Sequence, residues 1–282
     1  MTVAIVTDST SDIEPARAAE LGIDVVPLLV LFGQKSYRDY LDLSRAQFYE
    51  KLASEKTLPT TSQPTPEMFA EVFSKHVAAG SEIICITISQ GFSGTINAAR
   101  SAAQRYPQTK IHMVDSQSAA GGLGLQVLRA ALLSKSGADA QVILEALEWD
   151  RRHQRFFAAL PDLSHVVRTG RVGKAKALLG TLLKIAPVIS FQDGIVVPGA
   201  QVRTFARAQE AIIDSTVQNV RKPGEARVMV MHTQAPEIAQ RVAARLLERL
   251  GVPPAFMQIL EAGPVIATHA GAGAVGIFSV VE

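Results

Sequence analysis

The run Glu82 to Ala99, EIICITISQGFSGTINAA, constrains this chain most. Ile83 to Ile88 are mostly β-branched and apolar at successive positions, so both faces of the segment need burial, as in a parallel strand held between two layers. Gln90, Gly91, Ser93 and Gly94 break that run. A helix starting at Ser93 or Gly94 aims free backbone N–H groups and the Ser93 hydroxyl at the space above the strand, a favourable place for an anion.

Other strand-helix alternations surround this unit. Val3 to Thr7 reads as a first buried strand, and Asp8-Ser-Thr-Ser-Asp12 as the polar start of an alanine-rich helix, serving either as caps or as a second wall of a site. Asp24 to Phe32 reads as one strand, and Ser44-Arg-Ala-Gln47 has capping-box spacing before a helix to about Ser54. Thr57 to Pro66, TLPTTSQPTP, carries three prolines and reads as an extended loop. Thr65-Pro66 then opens a helix to about Ala79. Lys110 to Asp115 follows as a strand, and helices are expected from Ala119 to Ser134 and from Asp139 to Gln154. This alternation predicts a parallel sheet covered on both faces, with function carried at the carboxyl ends of its strands.

Near residue 155 the rhythm changes. The expected division is an N-terminal α/β domain, 1–155, with a mainly parallel Rossmann-like sheet, and a C-terminal α/β domain, 156–282, with a mixed sheet. In the second, Arg155 to Leu160 reads as a strand and Ser164 to Lys176 as a basic, glycine-broken connection. Leu178 to Leu183 reads as helix, and Gln192-Asp193-Gly194 as the turn of a hairpin. Helix, strand and helix are expected over Thr204–Val220, Ala226–Thr233 and Pro236–Leu250. Met257–Glu261 and Val275–Val281 close the chain as strands around a small-residue loop that carries His269.

Bulk properties remove several function classes. A chain of 282 residues with 48% hydrophobic and 19% charged residues can bury a substantial core. Its net charge of +2 gives no whole-chain attraction for nucleic acid. The single cysteine, Cys85, precludes an internal disulfide and a cysteine metal cluster and reads as a buried thiol. No apolar run is long enough to span a membrane and Val3 opens a strand directly, so a cytoplasmic location is expected.

Several motifs invite chemistry. Gly91-Phe-Ser93-Gly-Thr95 approaches the nucleophile elbow G-x-S-x-G, with Asp115 and His269 following in hydrolase order; Thr95 stands where the elbow needs glycine. A serine acyl hydrolase using Ser93 is therefore the alternative reading. Gly170-Arg-Val-Gly173-Lys174 lacks phosphate-loop spacing, and the histidines form no metal-binding pattern. Arg151, Arg152, Arg155 and the Arg241, Arg245, Arg249 series read as solvated surface or a face for an acidic partner.

A set of segments taken in order carries a family likeness. It comprises Thr7-Asp-Ser-Thr-Ser-Asp12, Pro59-Thr-Thr-Ser-Gln-Pro64, Ser89-Gln-Gly-Phe-Ser-Gly-Thr95, Val114-Asp-Ser116 and Thr169-Gly-Arg171-Val-Gly173. Leu183-Lys-Ile-Ala-Pro-Val188, Asp193-Gly194, Val202-Arg-Thr204 and Gly263-Pro-Val-Ile-Ala-Thr-His269-Ala-Gly271 complete it. Along nearly its whole length the chain resembles the DegV family, fatty-acid-binding proteins that serve bacterial fatty acid kinases. The resemblance implies two α/β domains with a long-chain fatty acid held between them. It implies that Thr61 and Ser93 hold the carboxylate, with Gly94 supplying a backbone N–H. Arg171, Arg203 and His269 match family positions expected to face ligand or partner. A non-catalytic carrier is implied, with no cofactor besides the bound fatty acid. It would act in phospholipid synthesis with a separate ATP-dependent fatty acid kinase, touching the membrane surface transiently and binding no nucleic acid.

Overall fold

The computed structural model describes residues 2–55, 57–175 and 186–281. The chain forms two compact units: Met1–Arg152 together with Gly263–Val265, and His153–Ala262 together with Ile266–Glu282.

The first unit opens with β1 (Val3–Asp8), α1 (Pro15–Leu21) and β2 (Ile23–Val26). There follow β3 (Leu29–Phe32), β4 (Lys35–Arg38), α2 (Arg45–Ser54), β5 (Thr60–Ser62), α3 (Pro66–Ala78) and β6 (Glu82–Thr87). It continues through α4 (Thr95–Ala103), β7 (Ile111–Asp115), α5 (Ala120–Lys135) and α6 (Ala140–His153). Strands in the order β2-β1-β6-β7 make a wholly parallel sheet. Ile83, Ile84, Cys85 and Ile86 of β6 are fully buried, which is why this segment is apolar at consecutive positions rather than at alternate ones. Phe69 and Phe73 of α3, four residues apart, and Ala98, Ala99 and Ala102 of α4 cover Ile83 and Cys85. A small antiparallel sheet, β4-β3-β5, lies beside this arrangement in the chain order and carries Thr61 opposite Val30.

The second unit contains β8 (Gln154–Ala159), α7 (Ser164–Arg168), β9 (Ala186–Gln192), β10 (Ile195–Val202) and α8 (Phe205–Asn219). It ends with β11 (Arg227–His232), α9 (Pro236–Leu250), β12 (Phe256–Glu261), α10 (Pro264–Ala270), whose first two residues count with the first unit, and β13 (Val275–Val280). Its sheet order is β10-β9-β8-β13-β11-β12, antiparallel except for the β11–β12 pair. The apolar faces of α8 and α9, through Ile212, Ile213, Val242 and Leu246, pack on Val228, Val230 and Ile277.

Several local expectations need correction. Asp24–Phe32 is two strands in different sheets; Pro27, which lacks an N–H, lies in the break. Asp8 caps a single turn at Ser9–Ser11, and the alanine-rich helix starts only at Pro15, whose preceding Glu14 makes no side-chain cap bond. Within the proline-rich loop Thr60–Ser62 pairs as an edge strand. Ser164–Arg168 is helical inside the basic connection, and the supposed small-residue loop around His269 is α10. The helix expected over Leu178–Leu183 lies outside the described residues.

Candidate functional site

The turn after β6 is held by carboxylates from the neighbouring strands. Asp8 Oδ2 accepts from Ile88 N–H at 2.7 Å, and its Oδ1 from Thr10 N–H at 3.0 Å. Asp115 Oδ1 accepts from Gln90 N–H at 3.3 Å and Gln117 N–H at 2.9 Å. Ser89 C=O accepts from Phe92 and Ser93 N–H, which tightens the chain into the entry of α4. There Ser93 Oγ lies 2.8 Å from Thr95 Oγ1 and accepts from Thr95 N–H at 3.3 Å. Ser93 therefore behaves as a capping hydroxyl beside the half-buried Gly94 N-cap.

Gly94 is the place where the two hydroxyl-bearing segments meet. Its φ of −77° is open to any residue, so glycine is not required by the backbone. Space requires it. A Cβ there would lie 3.2 Å from Gln63 Cδ and 3.4 Å from Gln63 Nε2, with Gln63 Oε1 closer still. The carboxamide that follows Thr61 by two residues rests on the N-cap of α4. The segment that bears Thr61 thus reaches the start of α4, whose free backbone N–H groups are of the kind that suits an anion.

A second set of polar groups in this unit is buried. Asp12 Oδ1 accepts from Tyr40 O–H at 2.9 Å and Gly263 N–H at 3.0 Å, while its Oδ2 has no protein partner among the described residues. Burial pushes its carboxyl up to about 7 against the opposing pull of Arg45. Burial likewise pushes Asp8 up to about 6, offset by hydrogen bonds from Thr10 and Ile88, and raises Asp39 well above the ordinary range. Asp12 and Tyr40 both have left-handed backbones, φ 54° and 63°, the latter unusual for a bulky side chain. Arg45 donates to Tyr40 Oη at 3.0 Å and pairs with Glu14.

In the second unit the structure groups Arg171 with His269 and adds His165. Arg171 donates to Thr169 C=O at 2.6 Å. His269 lies in the last turn of α10, and burial, followed by the charges of Arg171 and His165, pushes its imidazole down to about 3. At neutral pH it is an uncharged ring. His165 Nδ1 lies 3.3 Å from Thr268 C=O, and its ring occupies the space a Cβ on Gly271 would need, 2.7 Å from Cδ2. Arg203 is exposed at the β10–α8 junction, and no hydrogen bond or ion pair joins it to Arg171 or His269 among the described residues.

Sequence reasoning named Thr61, Ser93 and Gly94 but overlooked Gln63 as their physical link, although it lies inside the quoted Thr-Thr-Ser-Gln-Pro run. It overlooked His165 as well, for which the sequence holds no local signal. Among the described residues Ser93 Oγ bonds only to Thr95 and no histidine reaches it, so the hydrolase alternative gains no base in the first unit. The histidines there, His76 and His112, pair with Asp24 at 2.7 Å and Glu82 at 2.6 Å. Among the described residues no group of three or more His, Cys, Asp or Glu could hold a metal ion, and no helix is long and apolar enough to cross a membrane.

A parallel sheet whose strand β6 runs through a tight turn into a helix, followed by a mixed-sheet unit, defines a two-unit α/β protein. The family profile described as "Uncharacterised protein, DegV family" matches residues 2–282, and the chain belongs to that family. It is 36% identical over 281 residues to a DegV domain-containing protein of Halalkalibacterium halodurans, covering 99% of each chain. Its fold is similar to that of a DegV family protein from Thermus thermophilus described as fatty acid binding, with TM-score 0.94, 32% identity and 100% of both chains covered. It is also similar to DegV, a fatty acid binding protein from Bacillus subtilis, with TM-score 0.91, 30% identity and 100% of both chains covered.

Proposed function

We propose that this chain binds a long-chain fatty acid, with Thr61, Ser93 and Gly94 holding the carboxylate, and presents that carboxylate to a separate ATP-dependent kinase that makes the acyl phosphate. The observation that carries the reading is the whole-length likeness to the fatty-acid-binding proteins of Thermus thermophilus and Bacillus subtilis. The contact of Gln63 with Gly94 supports the headgroup assignment, because it joins the segments that bear Thr61 and Ser93. An ionised carboxylate taken from water needs hydrogen bonds in return. Two hydroxyls and the N–H groups of a helix start supply them without a full salt bridge. The acyl chain contributes ~0.8 kcal/mol per buried methylene, on the order of 10 kcal/mol gross for a long chain, against the ordering of chain and protein.

In this reading the chain is a carrier and turns nothing over itself. Arg171, Arg203 and His269 face the acyl phosphate or the docked kinase, and the protein works in the cytoplasm in phospholipid synthesis, meeting the membrane surface only transiently. To test it, the delipidated protein is titrated with palmitate by calorimetry, then supplied with ATP and a fatty acid kinase. Saturable binding near one fatty acid per chain, with phosphorylation dependent on the carrier, is the expected result. Ester hydrolysis lost in Ser93→Ala would overturn it in favour of the hydrolase.

A further inference from the structure

Gly94 has dihedrals open to any residue, and the space beside its Cα is occupied by a neighbouring side chain. The neighbour is the Gln63 carboxamide, the only side chain that a Cβ at this position would meet among its three nearest atoms. Gln63 itself is exposed. Two residues after Thr61, this carboxamide lies against the N-cap of the nine-residue α4, beside the N–H groups that an anion held by Ser93 would meet.

We propose that Gln63, whose carboxamide lies against Gly94, is a headgroup-specificity residue that donates through Nε2 to the carboxylate held by Thr61 and Ser93. The inference rests on the fatty-acid reading above and adds a reader of the headgroup's charge. A carboxamide has a donor end for an anion and an acceptor end for a protonated or hydroxyl headgroup. Its isostere glutamate has acceptors only and carries a charge that repels an ionised carboxylate. Part of the selectivity for acid over alcohol therefore rests on this amide.

The test compares delipidated wild type, Gln63→Glu, Gln63→Ala and Gly94→Ala in binding cis-parinaric acid and cis-parinaryl alcohol at pH 8, read by ligand fluorescence. In Gln63→Glu the acid is expected to bind roughly tenfold or more weakly while the alcohol changes by less than about threefold, the size of a lost charge-assisted hydrogen bond plus repulsion. Gln63→Ala is expected to lower the acid-to-alcohol preference by about three- to tenfold, and Gly94→Ala to do the same by pushing the carboxamide aside. If wild type binds the acid and all three variants keep its acid-to-alcohol ratio, or Gln63→Glu loses both ligands equally, the assignment of Gln63 is overturned while the carrier reading stands. If wild type binds neither ligand, the carrier reading fails and takes this assignment with it.

Discussion

Asp12 Oδ1 accepts a hydrogen bond from the backbone N–H of Gly263 at 3.0 Å, across 251 positions of sequence. Through it the chain returns to the first unit for Gly263–Val265 before α10 carries it on to His269. Tyr40 O–H shares the same oxygen at 2.9 Å, so one carboxylate oxygen serves both donors. Asp12→Ala leaves a buried N–H and a buried phenol without an acceptor and is expected to destabilise the protein by about 1–3 kcal/mol, measured by urea unfolding. Asp12→Asn, which keeps an accepting oxygen, is expected to lose far less.

The same carboxyl sets a pH dependence. An unfolded aspartate titrates near ~3.9, whereas burial raises Asp8 to about 6 and Asp12 to about 7. The folded state then holds more protons between those values, so their contribution is full below pH ~4 and is lost as pH rises through 7. His269, lowered to about 3, acts in the opposite sense: its contribution is present above pH ~6.5 and is lost as pH falls. Comparison with Asp12→Asn isolates the first effect. That variant should gain on wild type by about 2–4 kcal/mol between pH 4 and pH 8 in unfolding titrations, and a pH-independent difference would contradict the assignment.

Gly263 has no room for a side chain. A Cβ would meet Tyr40 Oη at 2.5 Å and Asp12 Oδ1 at 2.7 Å. Gly263→Ala is expected to lower stability by about 1–3 kcal/mol, seen as a fall in Tm of roughly 2–4 °C per kcal/mol. Tyr40→Phe, by removing the closest atom, should recover part of that loss in the double variant. Additive losses would show that the two residues do not share this contact.

His269 should be observably neutral. Its Hε1 resonance, assigned by comparison with His269→Gln, is expected to stay in place from pH 8 to pH 5 in NMR spectra, while solvent-facing histidines move. A midpoint near 6.5 for His269 would contradict its burial beside Arg171 and His165.

How far the sequence could be read depended on the range of the interactions. β6 was legible because Ile83 to Ile86 are buried on both faces, a condition written into consecutive residues. The Ser44–Gln47 capping box was legible because both its bonds close within four residues. The α10 helix was not: Pro264-Val-Ile-Ala-Thr-His-Ala is short, small and without period, although Pro264 at its first position was a usable start signal. Gln63 against Gly94 and Asp12 against Gly263 depend on where separate segments are delivered, and no local pattern encodes that. Ser93 and Gly94 stood out from the strand-to-helix turn, whereas Thr61 and the carboxylate role came through family likeness, since hydroxyls and glycine in a turn also read as ordinary caps and bends.

The most direct test of the central claim is the mass of whatever small molecule the protein retains through purification. Native protein is denatured, its organic extract is analysed by mass spectrometry, and the same is done for Thr61→Ala and Ser93→Ala. The account predicts a long-chain fatty acid near one per chain in wild type and clearly less in both variants. Wild type that releases no fatty acid, and takes up none when it is offered, would contradict it.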